Sequence, residues 1–107
     1  MNEVRLRGML GFAMRAGKLT IGTELVCTAM ANKKNAPKVV LVASDASDGT
    51  KKKVFTKCEF YEIKAVQLSM SAEMLGSLLG KSFAPVTVGV MDEGFAEQII
   101  KAVGEEI

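Results

Sequence analysis

Val39-Val40-Leu41-Val42-Ala43 is an unbroken apolar run, mostly β-branched, bounded by Pro37-Lys38 on one side and Ser44-Asp45 on the other. A run of strand length without polar alternation marks a strand buried on both faces. A chain buries both faces of a strand by covering the sheet with helices, so this segment points to an α/β architecture. Val86 to Met91 reads as a second buried strand.

The segments around these two strands alternate in period. Asn2 can cap a helix in which Val4, Leu6, Met9, Leu10, Ala13 and Met14 follow helical spacing, and Gly17 sits where it should stop. Leu19-Thr20-Ile21 is a short extended piece. Gly22 and Thr23 lead into a second helix with Leu25, Val26, Ala29 and Met30 on one side. The stretch 32–37 is polar and broken by Pro37. After the 39–43 strand, Ser44 to Asp48 offers turn and N-cap groups for a third helix that carries lysines, with Asp45 read as a helix cap. Residues 60–67 alternate weakly and contain a further strand. Ser69 or Ser71 caps a short helix through Leu79, which Gly80 ends. Asp92 caps a final helix with Phe95, Ile99, Ile100 and Val103 inward, and Glu105-Glu106 is a solvated end. This order predicts a three-layer α/β/α sandwich around a small mixed central sheet of about four strands, in one domain spanning 1–107.

Nothing in the composition demands a disulfide or metal. A chain of 107 residues with 49% hydrophobic content buries a core by itself. With no Trp and six aromatics, aliphatic packing carries that core, and the seven Met are read as adaptable filler. Cys27 and Cys58 stand far apart and make no disulfide framework. Cys27 is expected buried and Cys58 partly exposed, in a reduced compartment. The start, Met1-Asn2-Glu3, lacks a signal-peptide core and no run is long enough to cross a membrane, so a cytoplasmic protein without membrane association is expected. There is no His, P-loop or dinucleotide-binding fingerprint, and no carboxylate stands at a suggestive distance from a nucleophile. The chain is therefore read as non-enzymatic, with no cofactor and no metal.

Charge is distributed unevenly. Eleven Lys/Arg face four acids within residues 1–57, whereas residues 58–107 hold three Lys against eight acids. Such asymmetry offers a basic face to phosphates if sequence halves map onto faces, and does not if the fold interleaves them. Lys51-Lys52-Lys53 and Lys57 form either part of a basic stripe or an ordinary solvated helix face.

Leu10-Gly11-Phe12-Ala13-Met14-Arg15-Ala16-Gly17-Lys18, followed by Ile21-Gly22-Thr23-Glu24-Leu25-Val26, resembles the opening of the kink-turn RNA-binding ribosomal-protein superfamily of "seven-Ae"/"thirty-e" type, most of all its bacterial YlxQ-type branch. Val42 to Ser47 resembles the family's strand-end turn, and Leu79-Gly80-Lys81 before Val86 to Met91 its last loop and strand. The resemblance spans nearly the whole chain. It implies binding of structured RNA, a sharply bent helix–internal loop–helix with tandem sheared G·A pairs, in ribosomal or other translation-associated RNA. It also implies three binding segments: Gly22 to Thr28, the turn near Ser44 to Ala46, and the loop Lys81 to Val86.

Physical reasoning fits those segments. Gly22 permits close backbone approach, Thr23 can donate or accept a hydrogen bond, and a helix N-terminus presents free N–H groups to phosphate. Phe83, Ala84, Pro85 and Val86 make a short apolar loop suited to an unstacked nucleotide. Arg15, Lys18 and Lys81 are expected on phosphates, and Ser44, Asp45 and Val86 around the site; for Arg15 and Lys18 a solvated helix end is an equal alternative. The chain also departs from the family pattern. Many RNA-binding members carry Asn-Glu or Lys-Gln and, three positions after the second residue, Lys; here stand Glu24, Leu25 and Thr28. Leu25 cannot hydrogen-bond a guanine edge, Glu24 can accept from guanine N–H groups but repels phosphate, and Thr28 carries no charge. A protein-interaction module on the same fold is the alternative function.

Overall fold

The computed structural model describes residues 1–104, and the Glu105-Glu106 end lies outside them. Nine elements follow the expected order: α1 (Glu3–Arg15), β1 (Leu19–Ile21), α2 (Thr23–Met30), β2 (Val39–Val42), α3 (Asp48–Phe60), β3 (Lys64–Gln67), α4 (Ala72–Leu78), β4 (Thr87–Val90) and α5 (Glu93–Gly104). Successive side chains of a strand point to opposite faces, and β2 shows what this does to a strand with no polar residue. Val39 and Leu41 enter one core with Leu6 and Leu10 of α1, Leu75 of α4 and Ala96, Ile99 and Ala102 of α5. Val40 and Val42 enter a second core with Val26 and Met30 of α2 and Val54 and Cys58 of α3. The sheet is therefore covered on both sides, by α1, α4 and α5 on one face and by α2 and α3 on the other.

The strand order is β1-β4-β2-β3, which puts the two apolar runs in the middle and the short segments at the edges. Only β2 and β3 are parallel; β4 runs antiparallel to both β1 and β2. The sheet is mixed, as expected, with antiparallel pairing predominant. The register brings Ile21 beside Val88, and Val42 between Thr87 and Gln67. One end of the sheet is thus made from the C-terminal ends of β1, β2 and β3 and the N-terminal end of β4.

Two residues expected inward point out: Val4 is 83% exposed and Leu25 64%. The cysteines reverse the expectation, since Cys27 is half-buried and Cys58 buried. Cys58 lies on the α3 side facing the sheet, where burial pushes its thiol up to about 11. Met74 is exposed, while Met30 and Met70 are core residues.

Candidate functional site

The three segments singled out in the sequence meet at that one end of the sheet, and backbone hydrogen bonds join them there. The Gly22 N–H donates to the Thr87 carbonyl at 2.9 Å, and the Ala43 N–H to Val86 at 2.9 Å. The Ser44 N–H donates to Met70 at 2.9 Å. Asp45 accepts from the Ala72 N–H at 2.8 Å. Asp45 therefore binds the first N–H of α4 from across the turn, while Ser47 caps α3 by accepting from the Thr50 N–H at 3.1 Å. Asp45, expected at the start of α3, is thus the N-cap of neither helix and instead ties the β2–α3 turn to the first N–H of α4.

α2 differs from the other helices at its start. Asn2, Ser47, Ser71 and Asp92 cap α1, α3, α4 and α5 through their side chains. Gly22, at the N-cap of α2, has no side chain to do this. The first intrahelical bond of α2 runs from the Val26 N–H to the Gly22 carbonyl at 3.0 Å. The N–H groups of Thr23, Glu24 and Leu25 precede that bond, carry the positive end of the helix dipole and have no capping side chain. Gly22 has φ +113°, a conformation that disfavours any side chain, and the position its Cβ would take is open space. This end of α2 is thus bare, accessible to an acceptor and rigidly placed by the Gly22–Thr87 bond.

The side chains around it divide into engaged and free groups. The Thr23 hydroxyl lies 2.8 Å from that of Thr87, the one buried polar residue among those described. Thr23 is thus first a tie between the β1–α2 turn and β4, and its hydroxyl keeps spare hydrogen-bonding capacity. Glu24 is paired with Lys53 of α3 at 2.7 Å. The Lys53 hydrogen bond and charge, with a smaller contribution from Lys57, hold the Glu24 carboxyl below its ordinary value, and Glu24 in turn raises Lys53. The carboxylate charge is thereby partly offset by Lys53. Leu25 and Thr28 are exposed on the same helix.

The loop before β4 is shaped by Gly76. A Cβ on Gly76 would stand 2.3 Å from the Phe83 carbonyl oxygen and 3.0 Å from Pro85 Cδ. Pro85 is consequently buried against α4 and withdrawn from solvent, contrary to the expected apolar contact, whereas Phe83 and Ala84 are exposed. Val86 is half-buried on the second core. Lys81 is half-buried, its N–H bonded to the Gly76 carbonyl at 2.8 Å, and the length of α4, about 10 Å, separates it from the Asp45–Ala72 bond. Gly76 carried no signal in the sequence, because a helical glycine reveals a close approach only when the neighbouring loop is seen.

Arg15 and Lys18 are not brought to this end. The Lys18 carbonyl accepts from the Met91 N–H at 2.8 Å, just past the C-terminal end of β4. Lys18 lies beyond the opposite end of β1, about 13 Å from Gly22 along the chain, and Arg15 precedes it at the end of α1. Arg15 stacks over the Phe12 ring, its guanidinium carbon 4.9 Å from the centroid. Among the described residues there is no His/Cys/Asp/Glu group that could hold a metal, and no helix is long and apolar enough to cross a membrane.

A three-layer sandwich that gathers several loops and one uncapped helix at a sheet end is the framework of a binding protein. The chain belongs to the Ribosomal protein L7Ae/L30e/S12e/Gadd45 family, whose model matches residues 5–100. It is 42% identical over 98 residues to the RNA-binding protein YlxQ of Enterococcus faecium, covering 91% of this chain and 89% of that one. It is 40% identical over 92 residues to the RNA-binding protein YlxQ of Bacillus subtilis, covering 86% and 88%. The chain thus falls in the YlxQ-type branch of the family, and the large ribosomal subunit protein eL30 of Sulfolobus acidocaldarius is 31% identical to it, covering 81% of this chain and 82% of that one. A Bacillus halodurans protein of unknown function superposes with a TM-score of 0.88 at 35% identity, covering 96% of this chain and 100% of that one. The Giardia lamblia 15.5kD RNA binding protein shares the fold, with a TM-score of 0.74 at 16% identity and coverage of 94% and 83%. Like the family and the two YlxQ relatives, which are named as RNA-binding proteins, the chain is non-enzymatic.

Proposed function

We propose that this chain acts as one RNA-binding domain for a sharply bent structured RNA of kink-turn type, in ribosomal or other translation-associated RNA of a bacterial cytoplasm. The observation that carries this is the convergence of 22–25, 43–46 and 84–86 around the bare N-terminus of α2. Three loops on a rigid platform can grip a bent internal loop from several sides, which suits recognition by shape and splayed bases. The relatives named RNA-binding proteins support the same class of ligand.

In this arrangement the N–H groups of Thr23 to Leu25 meet phosphate or base acceptors, and the Glu24 carboxylate accepts from guanine N–H groups. Its pairing with Lys53 lessens the repulsion an unpaired acid would exert on phosphate. Leu25, Ala84 and Val86 supply apolar surface, Ser44 and Asp45 frame the site, and Lys81 reaches a flanking phosphate. Thr28 lies one turn further along α2. Arg15 and Lys18 have no part in the bent loop. The protein would hold the kinked conformer by binding it in preference to the open one, a population shift without chemistry.

A gel-shift titration tests this, using a standard kink-turn RNA and the same RNA with its G·A pairs replaced by Watson–Crick pairs. Selective binding to the first is expected, and loss of that selectivity in Gly22→Glu or Thr23→Arg. Equal binding of both RNAs by the wild type would refute the bent-RNA assignment; variants that bind as the wild type does would refute the site. Leu25, 64% exposed, and Phe83, 55% exposed, favour a second reading, a protein-interaction module. Salt separates the two: RNA affinity falls with a log–log slope of about −0.7 per single-strand phosphate contact, whereas an apolar protein interface responds weakly.

A further inference from the structure

We propose that the α2/α3 surface is a second phosphate-binding site, a track for one stem of the RNA as it leaves the bent loop. The proposal rests on the RNA-binding reading above and extends it to residues outside the sheet-end loops. Both helices start at the site end of the sheet, α2 after β1 and α3 after β2, and each leads to the opposite end. They therefore run side by side away from Gly22. Between them lies an open groove in which Thr28 of α2 and Ala31 at its C-cap face Lys53 and Lys57 of α3 and Tyr61 at its C-cap. The spacing on α3 is i, i+4, i+8, one continuous stripe.

Charge and shape agree along this groove. Its one acid, Glu24, sits at the mouth and is already met by Lys53. Lys52 and Lys57 have no ion-pair partner among the described residues. They flank a shallow surface with Gly49 and Thr56 on the outer side of α3. Five residues of helix separate these two cations by about 7.5 Å along the axis, enough to meet two different phosphates of a nucleic-acid strand. Small side chains on the α2 wall, Cys27, Thr28 and Ala31, let a sugar–phosphate backbone come close to the lysines opposite. The far end of the track carries Phe60, 77% exposed, edge-on to Tyr61 with ring centroids 4.9 Å apart. An exposed aromatic pair beside lysines suits a base stacked at a strand end.

The test is a salt titration of binding with three kink-turn RNAs, one with full-length stems and two in which one stem or the other is cut back. The proteins are the wild type and Lys52→Gln/Lys57→Gln, in which Lys52 is exposed and Lys57 half-buried, and whose thermal melt should match the wild type's. The wild type should lose affinity and salt sensitivity when one particular stem is shortened. The double variant should bind the full-length RNA with a slope shallower by about 1.4 to 1.8 and should no longer respond to that shortening. Its preference for kinked over Watson–Crick RNA should persist. Phe60→Ala should weaken binding to the full-length RNA alone. Equal slopes for wild type and double variant on the full-length RNA would overturn the track, and would be the result if the groove instead received an acidic protein. A shallower slope in the double variant, with no preference for kinked RNA in the wild type, would keep the track and discard the kink-turn reading.

Discussion

At the scale of single residues, the pairs that organise the site join positions remote in sequence. Thr23 and Thr87 share a hydrogen bond across 64 positions, and Glu24 and Lys53 across 29. Thr23→Val should leave the Thr87 hydroxyl buried without its partner and destabilise the fold by about 1–3 kcal/mol. Adding Thr87→Val should recover much of that loss, because both ends of the bond are then apolar; urea denaturation of the single and double variants measures it. The Glu24–Lys53 pair has a pH signature. Glu24 has a depressed folded pKa, so the pair's contribution is present above the ordinary carboxylate value and disappears as pH falls through the lowered one. A carboxyl-detected NMR titration should place Glu24 below the model-peptide value of 4.5, and Lys53→Ala should return it toward that value. An unshifted Glu24 in the wild type would mean that the two side chains do not stay paired in solution. None of these pairings was legible from sequence. Glu24 and Thr23 stood out there through the family resemblance, whereas Lys53 was one lysine in a run. The reversed cysteines show the same limit: helix position 58 faces inward by a phase that the lysine-rich neighbours of Cys58 concealed.

At the scale of elements, sequence reasoning was strongest where periodicity was unambiguous. Val39 to Ala43 and Val86 to Met91 became the two central strands because only helices on both faces can accommodate such runs. The amphipathic pattern of α5 likewise put Ile99 in the core with Phe95, Ile100 and Val103 packed on it. It was weaker where residues follow one another closely but diverge in space. Arg15 and Lys18 precede Gly22 by a few positions, yet β1 carries the chain across the sheet and leaves them at the other end. Loop shape was not legible at all, since it depends on Gly76 meeting Phe83 and Pro85. Gly76→Ala forces a methyl against the Phe83 carbonyl and should cost about 1–3 kcal/mol through overpacking, despite the better helix propensity of Ala. The shift should be local: amide chemical shifts should change most over 81–86 and least in α2. Asp45→Ala should separately cost about 0.5–2 kcal/mol, as expected for loss of a charged acceptor at a helix N-terminus, here the first N–H of α4.

For the whole molecule, the hydrogen bonds from Gly22 to Thr87, Ala43 to Val86, Ser44 to Met70 and Ala72 to Asp45 turn separate loops into one platform. A platform of this kind responds to a ligand as a unit, whereas unconnected loops would respond one at a time. Local opening of the bare α2 terminus breaks few buried contacts, so its amides should exchange quickly in the free protein, while those of β2 exchange only on global unfolding. Hydrogen exchange followed by mass spectrometry, with and without a kink-turn RNA, should therefore show added protection over 22–28, 43–46 and 82–87 together, rising with the same RNA concentration dependence. If the α2/α3 track is occupied, peptides covering 52–61 should join them with the full-length stems and drop out with the shortened one. The exposed side of α1 around Val4, and the Arg15–Lys18 end, should stay unchanged in both cases. Protection confined to one loop would mean that the ligand touches a single segment, and the case for shape recognition by a welded sheet end would fail with it. Protection at Arg15–Lys18 would mean that a stem runs along β1 across the molecule, giving those two cations the phosphate role that their distance from Gly22 otherwise denies them.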